Sequence, residues 1–216
     1  MCQTYNALGL PAIVRITAPD PYQACMVLDA GACGVVAPYV ETVEEVEALR
    51  GAVKLRPIKG FRLKQLLGGV EPEPDLGSYL TKANAGNVLV INIESRPAIE
   101  NLDRLLAVPG LDAVLIGPHD LSCSLGIPEC YNDSRFDAAV TEIFQKARRR
   151  GIGAGIHSWM GAEREAAWAS GPYGANLIIH ESDMIAMGSK LAADLRVLRA
   201  HFDENGPPAR SSLDIV

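Results

Sequence analysis

The feature that most restricts this chain is a repeated alternation between short apolar runs and longer stretches of helical periodicity. The runs lie at residues 12–16, 34–37, 87–93, 113–116, 152–156 and 176–179. They are continuously apolar rather than alternating, the pattern of strands buried on both faces of a parallel sheet. The intervening segments carry helix start signals. Asp20-Pro21 with Gln23 three positions on predicts one capping box, and Thr42 with Glu45 predicts a second. Residues 135–150 place Phe136, Val140, Ile143, Phe144 and Ala147 on one stripe and end in three arginines and Gly151, which suit a helix C-terminus. Gly31, Gly86 and Gly110 stand where helices should stop. Residues 54–75, rich in glycine, proline and charge, read as a long irregular loop.

Repeated βα units lead to a doubly wound sheet or a (β/α)8 barrel. No GxGxxG follows the first strand, which removes weight from the dinucleotide-binding version and favours the TIM-type barrel. Six strands are legible rather than eight, and 216 residues fall short of the roughly 250 such barrels use. The expectation is an α/β barrel of the TIM (β/α)8 type lacking two units, one domain over 1–203 with a loose tail at 204–216. Two uncovered sheet edges predict self-association into a homo-oligomer.

Composition narrows the partners. A net charge of −6 argues against a nucleic-acid ligand, whose phosphates require a basic face. Hydrophobic residues at 48% exclude disorder, and no apolar run approaches the ~20 residues of a membrane span. There is no signal-peptide pattern at the start, and five cysteines without a CxxC pair read as reduced thiols. A cytoplasmic protein with a small-molecule partner is expected, with no nucleic acid and no membrane.

In barrels of this type, chemistry sits at the C-terminal strand ends. Arg15 interrupts an apolar strand there, either snorkelling to water or offering a guanidinium to an anion. Asn92 and Glu94 are two apart, so both face away from Ile91 and Ile93; Glu94 serves either the mouth or a structural ion pair. Asp120, in Gly117-Pro118-His119-Asp120-Leu121-Ser122, either caps a short turn or joins Glu94 in holding one hard divalent cation. A rival set is His119, His157 and His180, each following a successive strand, which as three imidazoles would hold Zn2+ for a hydrolase.

The chain resembles the HpcH/HpaI aldolase family, related to citrate lyase β chains. The resemblance rests on VRI at 14–16, LDAG at 28–31, GVVAP at 34–38, INIES at 91–95, ENLDRLLAVPGLDAVLIGPHDLS at 100–122 and GIGAGI at 151–156, and covers about residues 11–200. It implies a metal-dependent carbon–carbon lyase (class II aldolase) that cleaves or forms 2-oxo-acid adducts through a pyruvate enolate. Glu94 and Asp120 match the ligands of a divalent cation (Mg2+, Mn2+ or Co2+). Arg15 matches the arginine that stabilises enolate charge, and Asp29 an aspartate that supports the basicity of the catalytic histidine. Gly117, Pro118, His119 and Asp120 match the pocket for the pyruvate carboxylate. Asn92 stands where the family has a substrate-contacting glutamine, one methylene longer, so the resemblance implies a substrate-binding residue there. The resemblance begins at the family's third strand, so the six strands correspond to strands three to eight, and no histidine here matches the family's acid/base histidine. A degenerate barrel that binds metal or keto acid without turnover is therefore an alternative. Acceptor specificity is expected in mouth segments 54–75 and 123–133.

Overall fold

The computed structural model describes residues 1–170 and 174–202, with the side chains of 201 and 202 not described; the expected loose tail at 204–216 lies outside the described residues. These fall into two compact units, one within Met1–Ile179 and a second that begins at His180. In chain order the first unit runs α1 (Cys2–Ala7), β1 (Ile13–Arg15), α2 (Pro21–Asp29), β2 (Gly34–Ala37), α3 (Val43–Lys54), α4 (Gly60–Leu67), α5 (Pro74–Asn84) and β3 (Val88–Asn92). It continues through α6 (Arg96–Glu100), α7 (Leu102–Leu105), β4 (Ala113–Ile116), α8 (Pro118–Ser124), α9 (Ser134–Arg149), β5 (Gly153–Ser158), α10 (Ala162–Ser170) and β6 (Leu177–His180), whose last residue opens the second unit. The second unit contains α11 (Asp183–Phe202), a helix carrying a Lys190–Asp194 ion pair of 2.7 Å one turn apart.

The six strands form one sheet in sequence order, and β1 to β5 pair in parallel. The sheet curls into a half-barrel. Period-two geometry divides it into two apolar layers. Val35, Leu89, Ile91, Val114 and Ile116 face outward into the main core, against Leu49, Leu105, Phe136, Ile143 and Phe144 of the helices. Val36, Val90, Ala113 and Leu115 form a smaller cluster on the concave face. At β5 the concave face is held close to β6: a Cβ at Gly155 would stand 2.0 Å from the Leu177 carbonyl oxygen, so only glycine permits this approach.

The strands lie where the apolar runs predict them, trimmed or extended by one or two residues at the ends. In α9 all five stripe residues are buried. The Thr42–Glu45 capping box is closed: Glu45 N–H donates to Thr42 Oγ1, while Glu45 Oε2 accepts from the N–H of Thr42 at 2.9 Å.

Two local expectations are corrected. Asp20 does cap α2, accepting from the Tyr22 N–H at 2.8 Å, but Gln23 closes no capping box. The Asp20 N–H is taken by the Ala18 carbonyl, and Gln23 Oε1 instead accepts from the backbone N–H and hydroxyl of Thr17. Residues 54–75 are not one irregular loop. They contain all of α4 and the start of α5, tied by an Arg62–Glu73 ion pair at 2.5 Å and by Asn84 Nδ2 donating to the Arg56 carbonyl at 2.9 Å. The glycine and proline that suggested a loop instead punctuate helix starts, Gly60 and Pro74 being the first residues of their helices.

Among the described residues no helix is long and apolar enough to cross a membrane. Because the α3 capping box satisfies two otherwise orphaned N–H groups, Thr42→Ala is expected to cost about 1 kcal/mol. Urea denaturation followed by circular dichroism checks this, with an unchanged midpoint counting against the cap.

Candidate active site

At the C-terminal ends of the strands lies a cavity of about 310 Å³. Arg15 reaches it from the end of β1, Asn92 and Glu94 from the end of β3, and Gly117, Pro118, His119 and Asp120 from the junction of β4 with α8; His157 and Trp159 follow from β5. Of the expected residues the structure thus brings together Arg15, Asn92, Glu94, Gly117, Pro118, His119 and Asp120.

Strand parity explains the placement of the two β3 residues. Ile91 and Ile93 are fully buried in the helix-facing core, so Asn92 and Glu94 must take the concave face. Both are nevertheless only 3% exposed. Glu94 is held on two sides: Oε1 accepts from the Tyr39 N–H at 2.8 Å, and Oε2 accepts from Asn92 Nδ2 at 2.9 Å. Burial raises its carboxyl above the ordinary value. The bonds from Tyr39 and Asn92 pull the other way, the Asp120 charge adds to the rise, and Arg15 offsets part of it.

The Tyr39 contact depends on an uncommon backbone. Tyr39 has φ +56°, the left-handed region that non-glycine residues seldom occupy. Register explains why the turn falls there. Ala37 pairs with Ile91, so the chain leaving β2 passes beside Glu94 and must turn to aim an N–H at it. The Tyr39 ring in turn lies 5.9 Å from the Arg15 guanidinium, within cation–π range.

The two carboxylates converge on the space left by Gly117. A Cβ there would stand 2.3 Å from Glu94 Oε2 and 3.6 Å from Asp120 Oδ2. Asn92 Oδ1 is buried among these groups with no hydrogen-bond partner. Two carboxylates, one unsatisfied amide oxygen and a gap with no side chain in it match the all-oxygen preference of a hard divalent cation. These residues therefore fit such an ion.

Other expectations separate from this cavity. Asp29 does not reach it. It ends α2, and a helix antiparallel to the strands delivers its C-terminus to the opposite end of the sheet. There Asp29 is largely exposed and pairs with Arg56. The same reasoning removes segment 54–75, which follows the C-terminus of α3. Together Asp29 and Arg56 border a second, larger cavity of about 470 Å³ between α2, α3 and α4. Segment 123–133 does reach the mouth: Glu129 Oε1 lies 3.7 Å from His119 Nδ1. The zinc triad is not formed. Among the described residues no three His, Cys, Asp or Glu side chains are arranged to hold a metal, and the His119 ring is turned toward Cys123 and Glu129.

Three residues escaped the sequence reading: Tyr39, Tyr131 and Trp159. For Tyr39 and Trp159 a signal existed, since each is an aromatic residue within two positions of a strand end. Tyr131 is placed by the tertiary fold alone.

A parallel half-barrel with a paired-carboxylate and arginine site at its mouth defines the class of protein. The description HpcH/HpaI aldolase/citrate lyase matches residues 2–169, and the chain belongs to that family. It is 33% identical over 166 residues to the hydroxypyruvate/pyruvate aldolase of Rhizorhabdus wittichii, covering 76% of this chain and 64% of that protein. It is 31% identical over 186 residues to the 2-keto-3-deoxy-L-rhamnonate aldolase of Klebsiella pneumoniae, covering 86% and 68%. Among solved structures it superposes on the citrate synthase SbnG with TM-score 0.78 at 27% identity, over 94% of this chain and 77% of that one. The chain thus spans about two thirds of the length of the curated relatives it matches.

The burial of Glu94 has a measurable sign. A carboxyl raised in the folded state contributes stability that is complete below its unfolded value, near 4.5, and is lost as pH rises through the folded value. Glu94→Gln keeps an acceptor for the Tyr39 N–H and carries no charge. In EDTA it is expected to melt a few degrees above the parent at pH 7–8, with the gap closing toward pH 4. A pH-independent difference in Tm counts against burial as the cause.

Proposed function

We propose that this chain carries the metal- and anion-binding part of a class II aldolase site acting on 2-oxo acids related to pyruvate. The observation that carries the reading is the convergence of Glu94 and Asp120 on the gap at Gly117, in a cavity that Arg15 also lines. The named activities of the aldolase relatives support it.

Glu94, Asp120 and the Asn92 amide oxygen would hold a divalent cation such as Mg2+, Mn2+ or Co2+. When bound, that ion supplies Lewis-acid stabilisation of negative charge on a 2-oxo acid. The chain's own residues do the rest. Cleaving the C3–C4 bond of a 4-hydroxy-2-oxo acid, with the 4-hydroxyl proton given up and C4 released as an aldehyde, leaves the bond's electron pair delocalised onto the C2 oxygen. Arg15, steadied against Tyr39, presents a fixed cation to that charge. The first-turn N–H groups of His119 and Asp120 have no intrahelical acceptor and face a substrate carboxylate. Tyr39 and Asn92 hold Glu94 in one orientation, so the site needs little rearrangement on binding.

A second reading, binding without turnover, is favoured by one observation: Asp29, the counterpart of the aspartate that supports the family's base, is engaged by Arg56 away from the cavity. Deuterium exchange at the pyruvate methyl group separates the two readings, since only a chain that moves the proton will exchange it. The open edges of the half-barrel, where Ile13 is 49% exposed, support a homo-oligomeric state.

Two outcomes are expected. Calorimetry should show Mn2+ binding in the micromolar-to-millimolar range, strengthened by oxalate and abolished in Glu94→Gln with Asp120→Asn; a double variant that binds as the parent does removes these residues as ligands. Arg15→Lys should lose about tenfold in turnover, or in oxalate affinity where turnover is absent, because an ammonium cannot reproduce the planar fork. Parity with the parent would return Arg15 to a solvent-facing role.

A further inference from the structure

One side of the cavity carries the rings of His157 and Trp159. Trp159 lines the cavity, yet 41% of its surface remains exposed. It is fixed from two sides, meeting Tyr131 edge-to-face at 6.2 Å and 89° and His157 at 6.1 Å and 88°. Tyr131 leans on the fully buried Phe136 at 5.6 Å, which ties the wall to the main core. The backbone under both aromatics is also fastened. Ser158 Oγ accepts from the Met160 N–H at 3.1 Å across the turn that carries Trp159. Arg164 bonds the Tyr131 carbonyl and donates to Asn132 Oδ1 at 2.6 Å and to Asp137 Oδ1 at 3.0 Å, while lying 5.0 Å from the Trp168 ring. The wall is therefore pre-organised, and Trp159 borders the same cavity as Asp120.

A rigid, partly exposed indole beside a charged pocket binds flat apolar groups better than hydroxylated ones. Covering its exposed face releases water and gains ring–ring contact, whereas hydroxyl groups placed there exchange one set of hydrogen bonds with water for another. Resting on the aldolase reading above, we propose that Trp159, buttressed by Tyr131 and His157, is the acceptor subsite and selects aldehydes bearing an aromatic ring over polyhydroxylated ones. In the addition direction the new bond joins C3 of the 2-oxo acid to the aldehyde carbon. One methyl proton leaves C3 and one proton is taken up by the former aldehyde oxygen, with no change of oxidation state overall.

Binding of the adducts tests this without requiring turnover. In Mn2+, the protein is titrated calorimetrically with 4-hydroxy-2-oxo-4-phenylbutanoate, with 2-keto-3-deoxygluconate and with oxalate. The parent should bind the phenyl adduct about tenfold tighter than the sugar acid, a preference of roughly 1.4 kcal/mol. Trp159→Ala should bring the two within about twofold while leaving oxalate affinity unchanged, and Trp159→Phe should restore most of the preference. The phenyl adduct should also quench the emission of Trp159, since the other tryptophan, Trp168, is buried. Equal affinities in the parent, or a preference that survives Trp159→Ala, overturn the subsite while leaving the 2-oxo-acid reading intact. Failure of the parent to bind oxalate overturns both.

Discussion

A carboxylate 3% exposed at the end of a parallel strand is the constraint around which the mouth of this sheet is arranged. Glu94 loses most of its hydration there, and a buried charge is tolerated only where neighbours replace the lost water. The replacements come from separate stretches of chain. Tyr39 adopts a left-handed backbone and aims its N–H at one oxygen, Asn92 turns its amide toward the other, and Gly117 withholds a side chain that would collide with it. Each adjustment has a second consequence. The Tyr39 ring comes to lie near Arg15, the Asn92 carbonyl oxygen is left without a partner, and Asp120 approaches the same open point. The convergence of these groups on one open point thus follows from accommodating one buried carboxylate.

That arrangement relies on the sheet having two apolar faces of unequal size. The outer face is sealed by helices, with Ile91, Ile93, Val114 and Ile116 fully buried, so register cannot slip by one residue without driving these side chains into the concave face. The same parity that buries Ile91 and Ile93 delivers Asn92 and Glu94 to the mouth. Core and site are specified by one alternation, and a substitution that loosened the packing of β3 on α3 would also move the carboxylate.

The direction of the helices explains the other half of the layout. Strand ends carry the chemistry, whereas the C-termini of α2 and α3 lie at the opposite end of the sheet. Asp29, Arg56 and the helical segment after Lys54 are therefore grouped around a separate cavity, despite their promising composition. The segment 123–133 meets the opposite fate because it leaves α8, which itself starts at the mouth. Tyr131 consequently meets Trp159, which lines the site.

Much of this is legible in the sequence alone. Continuous apolar runs determined the six parallel strands and their limits to within a residue or two, because burial on both faces leaves no room for polar alternation. Parity placed Asn92 and Glu94, and the GPHDLS segment placed Asp120, since both depend only on neighbours in sequence. Gln23 was misread because its partner, Thr17, competes with the cap it was expected to close. The place of Asp29 beside Arg56 was not legible, because a motif states what a residue is and not which end of the sheet it occupies. Tyr39, Gly117 and the wall of Tyr131 and Trp159 acquire their roles only through contacts between residues tens of positions apart. Such contacts are set by strand register and helix direction, and these arise when the chain packs, not from any local stretch of it.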